Sequence, residues 1–142
     1  MLNDHTNGKI TDFSTLQLFV DGGCEPKNPG GYATSGWVLF CPKDLKKPLA
    51  EQGEVVQKGG PLATNNYGEY QALILALSWL VTQHWRGELI IKADSKLLVE
   101  QVSGRWQVKA EHLAILRIQI HDLMEALNLR IITASDPLPP ES

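Results

Sequence analysis

The stretch Leu16 to Gly31, LQLFVDGGCEPKNPGG, constrains this chain more than any other. Leu16-Gln17-Leu18-Phe19-Val20 is a short run of strand-forming residues, and it delivers one carboxylate, Asp21, where the strand is expected to stop. Gly22 and Gly23 read as the strand's end, and Pro26, Asn28, Pro29, Gly30 and Gly31 as a turn-rich loop. An acid at a strand end, beside backbone that admits close approach, frames a metal or phosphate site. Taken alone, the same residues suit a solvated Asp opening a hairpin turn. The choice depends on whether other acids occupy matching positions.

They do. Residues 32–41 (YATSGWVLFC) and 49–58 (LAEQGEVVQK) read as two further strands, so the first three form an antiparallel meander. Thr64-Asn65-Asn66 offers capping side chains for a helix from about Asn66 to His84, with Tyr70, Leu73, Ile74, Leu77, Leu80 and Val81 on one face and Glu69 in its first turn. A carboxylate there is also what the positive end of a helix favours on its own account. Leu89 to Asp94 is another strand ending in an acid, followed by Ser95 and a short helix, Lys96 to Val102. A last helix, Glu111 to Leu127, precedes a fifth strand, Leu129 to Thr133, and a proline-rich end. The order is βββαβααβ, an α/β arrangement whose crossovers bring the acid-bearing strand ends to one edge.

At 142 residues the chain suits one domain, with residues 1–15 expected as a flexible N-terminal tail and 16–142 as the folded unit. No apolar run approaches a membrane span, no signal peptide precedes Leu16, and Cys24 and Cys41 lack metal-ligand spacing, which together point to free thiols in a reducing cytoplasm; a monomer is expected. The formal net charge of −3 advertises no polyanion binder, although clustered acids that hold cations would themselves pull the total negative.

Three segments, DGGCEPKNPGG (21–31), TNNYGEY (64–70) and ADSKLLVEQVSGRWQVK (93–109), resemble ribonuclease H type 1, in that family's order and over about Leu16 to Thr133. The short link from Gly104 to Ala110 is similar to bacterial and archaeal forms without the extra basic helix. The resemblance implies a mixed five-stranded sheet, three antiparallel strands then a βαβ unit, flanked by helices. It also implies endonucleolytic cleavage of the RNA strand of RNA–DNA hybrids, independent of sequence, with Mg²⁺ as cofactor and Mn²⁺ as substitute. Asp21, Glu69 and Asp94 match metal-binding catalytic acids, and Cys24, Asn28, Thr64, Asn65 and Asn66 match hybrid-contacting positions. Hard Mg²⁺ prefers carboxylate and phosphate oxygen, and two such ions activate a water and stabilise the departing oxygen. Amide groups suit the 2′-hydroxyls that mark RNA, and Thr64 suits a phosphate. For the polar residues turn formation and capping are the plain alternative, and for Cys24 a small buried thiol.

Lys27, Lys96, Arg105, Lys109 and Arg117 would make a modest basic track, and Trp106 either shapes a groove or fills the core. His112 and His121 read as structural. The family places a fourth acid after the fifth strand, and some members use a mobile histidine just before it; neither pattern is matched here, and Asp136 and Glu141 are the only acids nearby. Two other readings follow: a hybrid- or partner-binding module with impaired catalysis, and a strand-transfer enzyme of the same architecture, against which the TNNYGEY and DGGCEPKNPGG segments argue.

Overall fold

Leu16, Leu18 and Val20 point into the core while Phe19 and Asp21 turn the other way, the two-residue alternation of a strand packed on one face. In this computed structural model, which describes residues 2–6, 10–125 and 127–133 (128–133 through the backbone), that strand is the hub of the sheet. The strands are β1 (Leu2–Asp4), β2 (Thr15–Glu25), β3 (Tyr32–Phe40), β4 (Ala50–Lys58), β5 (Glu88–Ala93) and β6 (Asn128–Thr133). Their spatial order is β1-β4-β3-β2-β5-β6. β1 to β4, β4 to β3 and β3 to β2 pair antiparallel, while β2–β5 and β5–β6 pair parallel. The five strands expected from the sequence form this mixed sheet, and β1 is added at its edge.

The described residues of the first fifteen, 2–6 and 10–15, depart from the expected loose tail. Leu2–Asp4 pairs with β4, the His5 amide donates to the Leu49 carbonyl at 2.8 Å, and Ile10 is 1% exposed within the core. Trp85, equally buried, donates its indole N–H to the Phe13 carbonyl at 2.7 Å. The open edge of β4 offers unpaired backbone groups, and Ile10 offers apolar area worth burying. These outweigh the polar composition of the segment.

Helix α1 (Asn65–Thr82) packs across β2 and β3 with Tyr70, Leu73, Leu77 and Leu80 buried, and Ile74 and Val81 half-buried. Thr64 caps it by accepting the Tyr67 amide at 3.0 Å. It ends two residues before the expected His84, which sits in the left-handed region at φ 57° and cannot continue the helix. Trp37 from β3 meets Trp79 from α1 at 5.5 Å between ring centres, closing the core. Helices α2 (Lys96–Val102) and α3 (Glu111–Glu125) lie along the β5–β6 side. Leu113, Leu116 and Ile120 of α3 are buried.

Candidate active site

The parallel pairing of β2 with β5 ends at Val20 opposite Ala93. Asp21 and Asp94 are the next residues on the two chains, so both carboxylates stand at the same level of one sheet edge, on backbones about 5 Å apart. β2 itself does not stop at Asp21, as the two glycines suggested. It continues to Glu25 in antiparallel register with β3, Gly22 opposite Ser35 and Gly23 opposite Thr34. Gly22 serves a different purpose: a Cβ there would lie 2.3 Å from the Glu69 amide nitrogen. Across this contact Gly68 is just as tight, with the Thr34 carbonyl oxygen 2.3 Å from where its Cβ would be. The glycine pair lets the start of α1 rest on β2 and β3 and brings Glu69 beside Asp21. Glu69 lies in the second turn rather than the first, because α1 begins at Asn65 and its first turn holds no acid.

Burial pushes the Glu69 carboxyl above its ordinary value. The Ser95 hydroxyl acts the opposite way as a hydrogen-bond partner, and the charges of Asp21 and Asp94 push it up further. One of its oxygens, Oε2, is buried without a hydrogen-bond partner. Ser95 also caps α2 by accepting the Leu98 amide at 3.1 Å, so one hydroxyl ties the Asp94 strand end to Glu69. Its Asp-Ser-helix position is an N-cap signal in the sequence, but nothing there shows that it faces Glu69. Asp21 and Asp94 are exposed, and Asp21 Oδ1 accepts the Gly22 amide at 2.9 Å. Among the described residues no three His, Cys, Asp or Glu side chains stand together at metal-ligating distance. The three acids are electrostatically coupled neighbours, as three like charges free to spread apart would be.

The loop after β2 is fastened to the approach of α1. The Gly30 amide donates to Ala63 O at 2.9 Å, and the Cys24 thiol lies 3.1 Å from both Lys27 O and Ala63 O. Cys24 is therefore an interior residue, packed with Ala33 and Ala63, and its side chain is not offered to a ligand. The same fastening sets Asn28 beside Asn65, whose amide donates to Asn28 Oδ1 at 3.3 Å. Asn28 and Asn65 are exposed and Asn66 half-buried, on one rim with Thr64. Thr64 Oγ1 is used as the cap acceptor, which leaves its hydroxyl proton to donate.

The basic residues do not form one track. Arg105 is held by Glu100 through two bonds of 2.6 and 3.2 Å. Arg117 lies half-buried on α3 near Tyr70, and Lys96 stands 5.9 Å over the ring of Trp106, which is 44% exposed. His112 meets the Tyr67 ring, as a structural histidine would. Asp136 and Glu141 lie outside the described residues.

A mixed sheet in this strand order, with acids gathered at the edge where its parallel pairing ends, defines a ribonuclease H-like domain. The chain belongs to the family described as reverse transcriptase-like, whose model matches residues 19–132. It is 38% identical over 105 residues to a bifunctional protein of Mycobacterium tuberculosis, matching 73% of this chain and 26% of that one. The solved N-terminal RNase H domain of that protein superposes with a TM-score of 0.70 at 33% identity, over 86% of this chain and 84% of the other. Ribonuclease HI of Halobacterium salinarum is 31% identical over 112 residues, 77% of this chain and 50% of its own length. LC11-RNase H1, solved in complex with an RNA/DNA hybrid, is 27% identical with a TM-score of 0.69, over 84% of this chain and 86% of that one. The chain thus spans between a quarter and a half of the curated relatives it matches. Among the described residues no helix is long and apolar enough to cross a membrane.

Proposed function

We propose that this chain is a metal-dependent endonuclease that hydrolyses the RNA strand of RNA–DNA hybrids without regard to sequence. The observation that carries the reading is the state of Glu69: desolvated, pressed by the charges of Asp21 and Asp94, and left with one buried oxygen unpartnered. Such a carboxylate is relieved by a divalent cation, and an all-oxygen donor set suits hard Mg²⁺ or Mn²⁺. Asp21, Glu69 and Asp94 would hold the ions, which when bound supply an activated water and charge stabilisation at the leaving oxygen. Membership of the family and the hybrid bound by LC11-RNase H1 support the substrate class.

The chain's own groups do the selecting. Asn28, Asn65 and Asn66 present amides to the minor groove, where a 2′-hydroxyl offers both a donor and an acceptor. Thr64, with its proton free, donates to a phosphate and fixes register without reading bases. Cys24 holds the loop that carries Asn28 rather than touching substrate.

The test is cleavage of an end-labelled hybrid with Mg²⁺ or Mn²⁺, beside single-stranded RNA, RNA duplex and DNA duplex. Cuts spread along the RNA of the hybrid alone are expected. Equal cutting of duplex DNA would point to a strand-transfer or general nuclease and overturn the reading. A second reading, a hybrid-binding module with impaired turnover, draws on the spacing of the three acids beyond ligating distance. It predicts binding without cuts in the same assay.

A further inference from the structure

The sheet face opposite α1 carries a cleft of about 360 Å³ that runs up to Asp21 and Asp94. It is built from matched rows. Phe19 lies between Val38 and Lys92, and Asp21 opposite Gly36, which in turn faces Gly53. The two glycines leave the floor beside Asp21 bare, and packing does not require it: a Cβ on either would meet nothing closer than 3.9 Å. Lys92 enters this cleft two residues before Asp94 on the same strand face, its ammonium 6.0 Å from the centre of the Phe19 ring. Glu51, also lining the cleft, is 3.6 Å from His5, and among the described residues no carboxylate lies within ion-pairing distance of Lys92. A lysine whose ammonium stands over an aromatic ring in a cleft that reaches two acids, with no carboxylate at ion-pairing distance among the described residues, keeps its charge available to an anion.

We propose that Lys92 is a substrate-positioning residue, its ammonium contacting a backbone phosphate of the strand held at Asp21, Glu69 and Asp94. This rests on the functional reading above. In a chain of net charge −3, a fixed cation in the same cleft adds to ions held by the three acids in drawing the strand in. An ammonium binds phosphate as a point charge and carries no base information, in keeping with sequence-independent cutting. The glycine floor leaves room for the strand to come close.

The experiment is fluorescence anisotropy of a labelled hybrid, titrated over a range of salt, with Ca²⁺ as the hard cation for the carboxylates and the RNA strand checked intact on a gel afterwards. The parent chain is compared with Lys92→Met, Lys92→Arg and, as a control at the opposite edge of the sheet, Lys46→Met. Lys92→Met is expected to weaken binding about tenfold near 0.1 M salt, the size of one charge-assisted hydrogen bond. Its salt slope should fall by about 0.7–0.9, one phosphate contact. Lys92→Arg should restore both and Lys46→Met change neither. A Lys92→Met protein that binds with the parent's affinity and slope overturns this inference alone, as does failure of a folded Lys92→Arg to restore them. A parent chain that binds no hybrid overturns the functional reading, and this inference with it.

Discussion

Gly22 and Glu69 touch backbone to backbone: a Cβ on the glycine would stand 2.3 Å from the Glu69 amide nitrogen and 2.6 Å from the Gly68 carbonyl carbon. This contact joins the β2 edge, which carries Asp21, to the helix that carries Glu69. It makes a backbone approach, rather than a side-chain interaction, the element that assembles the site.

Gly22→Ala is therefore expected to destabilise the fold by about 1–3 kcal/mol, toward the upper end because both obstacles are main chain. Gly23→Ala is the comparison, since its Cβ would meet only the Thr34 hydroxyl at 3.1 Å, a side-chain atom that can turn aside. Urea unfolding of the two variants checks the difference. Equal, small losses would mean that α1 can slide off Gly22 freely.

Glu69 makes stability depend on pH. Its folded-state pKa is raised above the ordinary 4.5, by burial first and by the charges of Asp21 and Asp94, against the Ser95 hydrogen bond. A carboxyl with a raised folded pKa contributes stability that is fully present below the unfolded value and is lost as pH rises through the folded one. At pH 7 the ionised side chain is a net burden, so Glu69→Gln should melt higher than the parent. The difference should close as pH falls below 4.5. Adding Mg²⁺ or Mn²⁺ at neutral pH should raise the parent's melting temperature and move that of Glu69→Gln less. Thermal melts across pH, with and without the cation, give both comparisons.

Tyr70 sets the alkaline limit. Burial pushes its phenol up to about 12, against the pull of the Arg117 cation, and its O–H donates to Gln101 Oε1 at 2.6 Å. Stability from the neutral phenol is complete below the ordinary value of 10 and drains away as pH rises through about 12. Tyr70→Phe should remove that alkaline loss. At neutral pH it should cost about 1–3 kcal/mol, because Gln101 is left with a buried acceptor. Urea midpoints at neutral pH and near pH 11 measure the two effects.

How far the sequence reaches is visible in single residues. The strand alternation of Leu16, Leu18 and Val20 and the helical spacing of Tyr70, Leu73, Leu77 and Leu80 are local patterns, so β3, β4, β5 and α1 were legible to within two residues, whereas β2 runs four residues past its expected end at Asp21. The acids Asp21 and Asp94 were legible as a pair because each follows a strand-forming run. What was not legible depends on contacts distant in the chain. Ile10 and Trp85 pull the first segment into the core, an outcome no window around residues 1–15 reports. Gly22 was read as a breaker, whereas its missing side chain is required by a helix 46 residues further on. Lys92 drew no notice because a lone lysine in a strand reads as solvated, and only the register opposite Phe19 places it in the cleft.

Asn66 tests the basis of substrate choice. If its amide meets a 2′-hydroxyl, Asn66→Ala loses a hydrogen bond between uncharged groups, about 0.5–1.5 kcal/mol, which appears as a KM up to about tenfold higher. Cuts should stay distributed along the RNA, because the contact carries no base information. Strong sequence preference in the parent, or an unchanged KM, would remove Asn66 from the hybrid contact.

Metal preference follows from the acids themselves. A two-ion reaction needs enough carboxylate oxygen to hold both cations at the scissile phosphate, and Asp21, Glu69 and Asp94, drawn together by a cation, would supply it for one ion and for a second only with help from the substrate. Mg²⁺ demands near-ideal octahedral geometry, whereas Mn²⁺ binds nitrogen and oxygen sites more readily under the general affinity order. Hybrid cleavage should therefore be faster with Mn²⁺ than with Mg²⁺ at equal concentration. Asp94→Asn, which removes one ligand oxygen without changing volume, should abolish turnover with both metals while far-ultraviolet circular dichroism stays that of the parent. The same substitution should shrink the thermal shift given by Mn²⁺, a readout that does not depend on turnover. If the parent is fully active with Mg²⁺ and Asp136→Asn ends that activity, Asp136 supplies a fourth ligand and the three-acid account of the site is wrong.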